Sequence, residues 1–258
     1  MRFLFIVMAL SVAACAHQAP LKTPAQIEKE TKEREAKEAK KARRAEAKNQ
    51  EEIEEKNIEA TWSTQGGEIP DEVNLEVTFY PQAPDADWSL PWKEACEESS
   101  IIQAYYYVQG KSLNRDIFRE EILSIVETQK KILGKYIDTS MEETAEFLRA
   151  QYWYGDYEII DNPSIDDMKK ELAQGHPIVA PFAGKKLWNS FFTNGGPRYH
   201  VLVIVWYKDG FFITNDVGTS RGENFAYSYE TIMDAMHDLV PVGEWDILDG
   251  EKRILVLR

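Results

Sequence analysis

The sequence predicts an α+β fold with a helical N-terminal half and an antiparallel sheet in the C-terminal half. Three observations carry that prediction. Capped stretches of helical spacing follow one another between residues 96 and 174. Two apolar runs, 200–207 and 211–215, then flank Lys208-Asp209-Gly210, and a last strand-like run closes the chain at 253–257. Helices first and strands afterwards is the α+β order.

Each element has its own signal. Val73, Leu75, Val77 and Phe79 alternate with polar residues, which marks a half-buried strand. An aromatic, proline-containing loop then leads to a helix over 96–109, closed by Gly110. Asn114 starts a second helix, with Ile117, Phe118, Ile122, Ile125, Val126 and Leu133 at helical spacing and Gly134 at its end. Ser140, with Glu143 three residues on, forms a capping box for a third helix to about residue 151. Residues 157–160 read as a short strand, and Ser164 caps a helix to Gln174. Prolines bound a strand over 177–182, and a long aromatic loop follows over 184–198. The runs 200–207 and 211–215 are apolar enough to need cover on both faces of their sheet. Ser228 caps a final helix from 229 to about 237.

Ahead of this domain, residues 1–14 read as a signal segment and 15–72 as a tether, leaving 73–258 for the fold. Arg2 supplies a positive charge, and the apolar stretch after it is too short to span a bilayer. Val12-Ala13-Ala14-Cys15 puts small residues directly before a cysteine, which resembles the lipobox of bacterial lipoproteins. Lipidation of Cys15 and an extracytoplasmic, membrane-anchored address follow from that likeness; an ordinary signal peptide cut after Ala16 or Ala19 is the alternative. Between residues 25 and 60 there is neither proline nor glycine, and pairs such as Glu28–Lys32 and Glu33–Lys37 stand at helical spacing. No apolar heptad is sustained there, so the spacer is either a solvated single helix, about 50 Å long at about 1.5 Å per residue, or disordered. Residues 61–71, with Gly66-Gly67 and Pro70, form the joint.

The formal net charge of -14 falls almost wholly on the domain. An acidic domain excludes nucleic acid as a partner and direct docking on anionic lipid. Nothing in the residue pattern calls for a metal or a cofactor.

The chain has two cysteines. If Cys15 carries lipid, Cys96 has no disulfide partner, and an unpaired extracytoplasmic thiol suggests a reactive one. Cys96 also begins a helix, whose dipole favours thiolate. Of the four histidines, His17 lies in the tether, while His176 and His237 have ordinary loop and surface settings. His200 opens an apolar strand and is the candidate base. A three-residue turn at Lys208-Asp209-Gly210 pairs Tyr207 with Phe211 and sets Leu202 opposite Asp216. His200 and Asp216 are then diagonal neighbours on one face, roughly 7–8 Å apart at the backbone. A two-residue turn puts them on opposite faces, with Asn215 as the other candidate orienter. Cys, then His, then Asp is the papain-like order.

Phe79-Tyr-Pro-Gln-Ala-Pro84, Trp88, and Pro91-Trp-Lys-Glu-Ala-Cys-Glu-Glu-Ser-Ser100 resemble the bacteriocin-processing-peptidase-like, or C-thirty-nine-like, cysteine peptidases. Ala180-Pro-Phe-Ala-Gly184, Tyr199-His200 and Phe212-Ile-Thr-Asn-Asp216 resemble the same family, so the likeness covers about residues 73–257. It implies a papain-like fold, Cys96 as nucleophile, His200 as general base and acid, and Asp216 as orienter. It also implies that the Gln82 side-chain amide completes an oxyanion hole with the Cys96 backbone N–H, although the Gln82-to-Cys96 gap is wide for that fold. Trp206 stands where glycine is usual, and Val217 where proline usually follows the aspartate.

The leading expectation is a membrane-tethered cysteine peptidase acting on a peptide or protein substrate through an acyl-enzyme. Acyl transfer of the transglutaminase type uses the same residues, and a non-catalytic binding domain needs none of them together. Glu97 and Glu98 are expected to favour the helix dipole. Trp88, Trp92, Trp188, Phe191 and Phe192 either wall a peptide groove or pack in the core.

Overall fold

The structure, a computed structural model, describes residues 69–240 and 246–258. The signal segment, Cys15, His17 and the charged spacer lie outside the described residues. The domain forms one unit, from Gly67 to Arg258.

Its helices are α1 (Cys96–Val108), α2 (Arg115–Ile132), α3 (Met141–Tyr152), α4 (Ile165–Ala173) and α5 (Tyr229–Ala235). Four of the five begin where a polar side chain can take an orphan N–H. Asn114 accepts from Ile117 N, Ser228 accepts from Thr231 N, and Ser140 and Ser164 complete capping boxes with Glu143 and Asp167. The exception is α1, where Ala95 provides no side-chain cap and leaves the first-turn donors of Cys96 free of one.

Seven strands make one antiparallel sheet: β1 (Val73–Asn74), β2 (Tyr157–Asp161), β3 (Ile178–Phe182), β4 (His200–Lys208), β5 (Phe211–Asn215), β6 (Phe225–Ser228) and β7 (Arg253–Leu257). The order is β2-β7-β3-β4-β5-β6, and β1 pairs with the far end of β4. Residues 200–205 of β4 are all buried, so both faces of the central strand are covered. On one of them lies α1, whose Ser100 hydroxyl donates to the Val201 carbonyl at 3.3 Å.

Three expectations change. The strand read over Val73–Phe79 joins the ladder only at Val73 and Asn74. Leu75 still donates to Val205 O at 2.9 Å, but Val77 N–H turns back to Leu75 O at 2.8 Å, which ends the pairing. Leu75 and Val77 remain buried, so the alternation reported burial rather than ladder length. Strand β6 was not anticipated, because four residues inside a polar stretch give too short a pattern.

The third change concerns the β4–β5 turn. Lys208 pairs with Phe211, so the loop is the two-residue Asp209-Gly210. Both residues have positive φ, 50° and 85°, as a type I′ hairpin requires. That turn alone would set His200 and Asp216 on opposite faces. A β-bulge between Ile204 and Trp206 adds one residue to β4 and reverses the parity. Beyond it Val203 faces Asn215, so the register runs on to Leu202 opposite Asp216. The face is the anticipated one, reached by a different route. The β1 edge uses the same irregularity, since Leu75 takes the carbonyl of Val205 in the bulge.

Candidate active site

Cys96 is the first residue of α1 and lies almost wholly buried as a free thiol. Its Sγ donates to Glu97 Oε2 at 3.1 Å. Burial, and after it the Glu97 carboxylate, pushes the thiol well above its ordinary range, while the Val201 N–H pulls the other way. The helix start therefore does not produce a resting thiolate: desolvation and a neighbouring carboxylate outweigh the dipole.

Glu97 and Glu98 are not surface charges at a helix start. Both are buried, Glu97 with its Oε1 accepting from Thr139 N at 2.7 Å. Burial raises Glu97 to about 7. Burial, then the Glu97 charge, holds Glu98 well up, beside Gln129 and without a hydrogen bond of ordinary length.

The Val201 N–H beside the thiol puts Sγ against the start of β4, where His200 is 2% exposed. His200 Nε2 meets Asp216 Oδ1 at 2.8 Å, which leaves Nδ1 as the nitrogen able to exchange a proton. Phe192 stands edge-on to the imidazole, 5.3 Å between centroids at 82°. Gly218 packs against both rings where they meet. A Cβ there would lie 2.8 Å from His200 Cε1 and 2.9 Å from Phe192 Cε1.

Asp216 follows β5 and is fully buried, with four donors on its two oxygens. Oδ1 takes His200 Nε2 and Gly218 N at 3.1 Å; Oδ2 takes Asn189 Nδ2 at 2.9 Å and the Tyr227 hydroxyl at 2.6 Å. Burial alone would raise this carboxyl, but His200, Tyr227 and Asn189 together hold it below the ordinary range. Sequence reading missed Asn189 and Tyr227. Asn189 sits in a loop with no pattern, and Tyr227 on the strand too short to be seen.

Asn215, the other candidate orienter, points elsewhere. It donates to Val77 O at 3.1 Å and to Gln103 Oε1 at 3.3 Å, tying the segment before Gln82 to α1. Gln82 reaches the cavity, and its backbone N–H is held by Val217 O at 2.9 Å. Its side-chain amide, however, donates to Trp92 O at 3.0 Å and Lys93 O at 2.8 Å. Both amide protons are thus given to the turn that precedes Cys96.

Cys96, His200 and Gln82 line one cavity of about 410 Å³. Trp88, Phe191 and Phe192 form its aromatic walls, whereas Trp92 packs under Arg119 and Trp188 faces a separate depression with Lys185 and Lys186. His176 pairs with Glu171 at 2.8 Å and His237 bonds Gly250 O at 2.8 Å, each away from the cavity. Among the described residues no group of three or more His, Cys, Asp and Glu is placed to hold a metal. None of the described helices is long and apolar enough to cross a membrane.

No curated protein matches the chain. A solved structure from Bacillus anthracis, named as a C39-like peptidase, is similar at 14% identity. The match covers 73% of this chain and 98% of that one, with a TM-score of 0.48. The Peptidase_C39 like family matches residues 74–238, more than half of the sequence, and the chain belongs to that family.

Proposed function

We propose that the protein is a papain-like cysteine peptidase that hydrolyses peptide bonds through Cys96, His200 and Asp216. The observation that supports this best is the buried His200–Asp216 pair, whose imidazole lines one cavity with Cys96. Asp216 fixes Nε2 as the protonated nitrogen, so Nδ1 takes the thiol proton. Sγ attacks the substrate carbonyl, His200 returns the proton to the leaving amine, and water activated by His200 releases the acyl-enzyme. The uncapped N–H groups of the first turn of α1 supply the oxyanion site at Cys96. Gln82 joins them only by releasing one of its two backbone carbonyls when substrate binds.

The aromatic walls suit a peptide segment, and the non-catalytic reading gives no reason for a thiol and an oriented imidazole to share a cavity. The N-terminal features support an extracytoplasmic protein anchored through lipid on Cys15; mass spectrometry of the membrane-extracted chain tests that, and an unmodified N-terminus downstream of Cys15 ends it. For the chemistry, the full chain is incubated with a peptide library beside Cys96→Ala and His200→Ala. Cleavage that depends on both residues is expected. Equal cleavage by Cys96→Ala refutes the nucleophile, and products coupled to an added amine replace hydrolysis by acyl transfer.

A further inference from the structure

The carboxylate of Glu97 accepts from the reacting atom itself, and the chemistry above leaves it without a role. It is 1% exposed and cannot swing away freely, because Thr139 N–H, from the segment between α2 and α3, holds Oε1 at 2.7 Å while Oε2 takes the Cys96 thiol at 3.1 Å. A thiolate formed here would lie against a buried negative charge in a low-dielectric setting, where like charges oppose each other strongly.

Resting on the reading of Cys96 as nucleophile, we propose that Glu97 is a latch on it: the carboxylate holds the thiol proton away from His200, and this hydrogen bond must be released before the thiolate–imidazolium pair forms.

Release by protonation balances simply. One proton from water binds Glu97 Oε2, which changes from acceptor to donor. The S–H bond breaks, its proton passes to His200 Nδ1, and the thiolate accepts the new Oε2–H. Charge at the site is then divided between thiolate and imidazolium, with Glu97 neutral. The surroundings favour uptake of that proton. On α1 the neighbours of Glu97 are Cys96 and Glu98, the latter facing Gln129 of α2. From the segment before α3 come the Asp138 charge and the Thr139 N–H. From the approach to β4 comes the Tyr199 phenol, which burial holds up together with Asp238 and Glu97. The cations nearby, Lys135 and Arg198, act on Asp138. Burial therefore leaves Glu97 titrating at about 7, against the Thr139 N–H, which lowers it.

The test is the rate of Cys96 alkylation by iodoacetamide in the full chain between pH 5 and 9, followed on the Cys96 peptide by mass spectrometry so that Cys15 does not contribute. The latch predicts that reactivity falls as pH rises through about 7, before bulk thiol ionisation raises it again. In Glu97→Gln the amide keeps Thr139 N–H and donates to Sγ, so alkylation at pH 7.5 should rise about tenfold and the dip should vanish. A folded Glu97→Gln that reacts at the wild-type rate at every pH overturns the proposal. Should that variant not fold, a wild-type profile that climbs steadily from pH 5 to 9 overturns it as well. Peptide cleavage that still requires Cys96 separates this failure from failure of the peptidase reading.

Discussion

Asp216→Asn is the sharpest probe of the His200 pair, because four donors converge on one carboxylate. An amide offers one oxygen. With that oxygen toward His200 and Gly218 N, its NH2 group meets Asn189 Nδ2 and the Tyr227 hydroxyl. Tyr227 can turn to accept, but at least one buried donor loses its partner, at about 1–3 kcal/mol. The charge-assisted share of the remaining bonds is lost too, so a total of about 2–4 kcal/mol is expected. With the amide reversed, its NH2 faces Nε2 and moves the imidazole proton to Nδ1, the wrong tautomer for accepting from Cys96. In either placement no negative charge faces the imidazolium. Peptide cleavage should fall by about 10²- to 10⁴-fold, or about 2.7–5.4 kcal/mol in the barrier. The assay pairs kcat/KM on a cleaved library peptide with urea unfolding. A variant within threefold of wild-type activity and within about 0.5 kcal/mol in stability would remove Asp216 from the orienting role.

Gly218→Ala sets a methyl 2.8 Å from His200 Cε1 and 3.2 Å from Nε2; overpacking of about 1–3 kcal/mol and a fall in kcat larger than any change in KM should appear in kinetics and thermal melts. Gln82→Ala frees the Trp92 and Lys93 carbonyls; a loss of about 10²-fold or more in kcat with KM unchanged would mark it as an oxyanion donor, whereas a stability loss with little change in kcat would limit it to holding the turn. Stability should also depend on pH. Burial first raises both Glu97, to about 7, and Asp238, to about 6, above their unfolded values near 4. Between those limits the folded state binds the more protons, so the stability these groups contribute is full below the unfolded values and is lost as pH rises through the folded ones. Asp216, held low, opposes this only in strong acid, where its contribution disappears as pH falls through its folded value. A urea midpoint at pH 7.5 equal to that at pH 5 would contradict the buried-carboxyl account.

Local rules made much of this chain legible. The caps at Asn114, Ser140, Ser164 and Ser228 are satisfied as their spacing implies, since a cap is a contact within three residues. The candidate positions Cys96, His200 and Asp216 were legible from their order and from the resemblance of the flanking residues. The turn was misread although Asp209-Gly210 is itself the strongest short hairpin signal, because the longer count gave a consistent register without a bulge. Nothing local announces the bulge at Val205: it is set by β1 on one edge and β5 on the other, strands far apart in sequence.

The sequence by itself determined which residues are the candidates for the chemistry, where the helices begin, and that the central strands are buried, because each depends on residue type or near neighbours. Only the tertiary structure decided what state those residues are in. Cys96 rests as a neutral thiol because folding buries it beside Glu97, and Glu97 is fixed there by Thr139, 42 residues away. Asp216 stays ionised because Asn189 and Tyr227 arrive from separate segments to bond it. Solvation and charge pairing are properties of the packed interior, and no spacing along the chain records them.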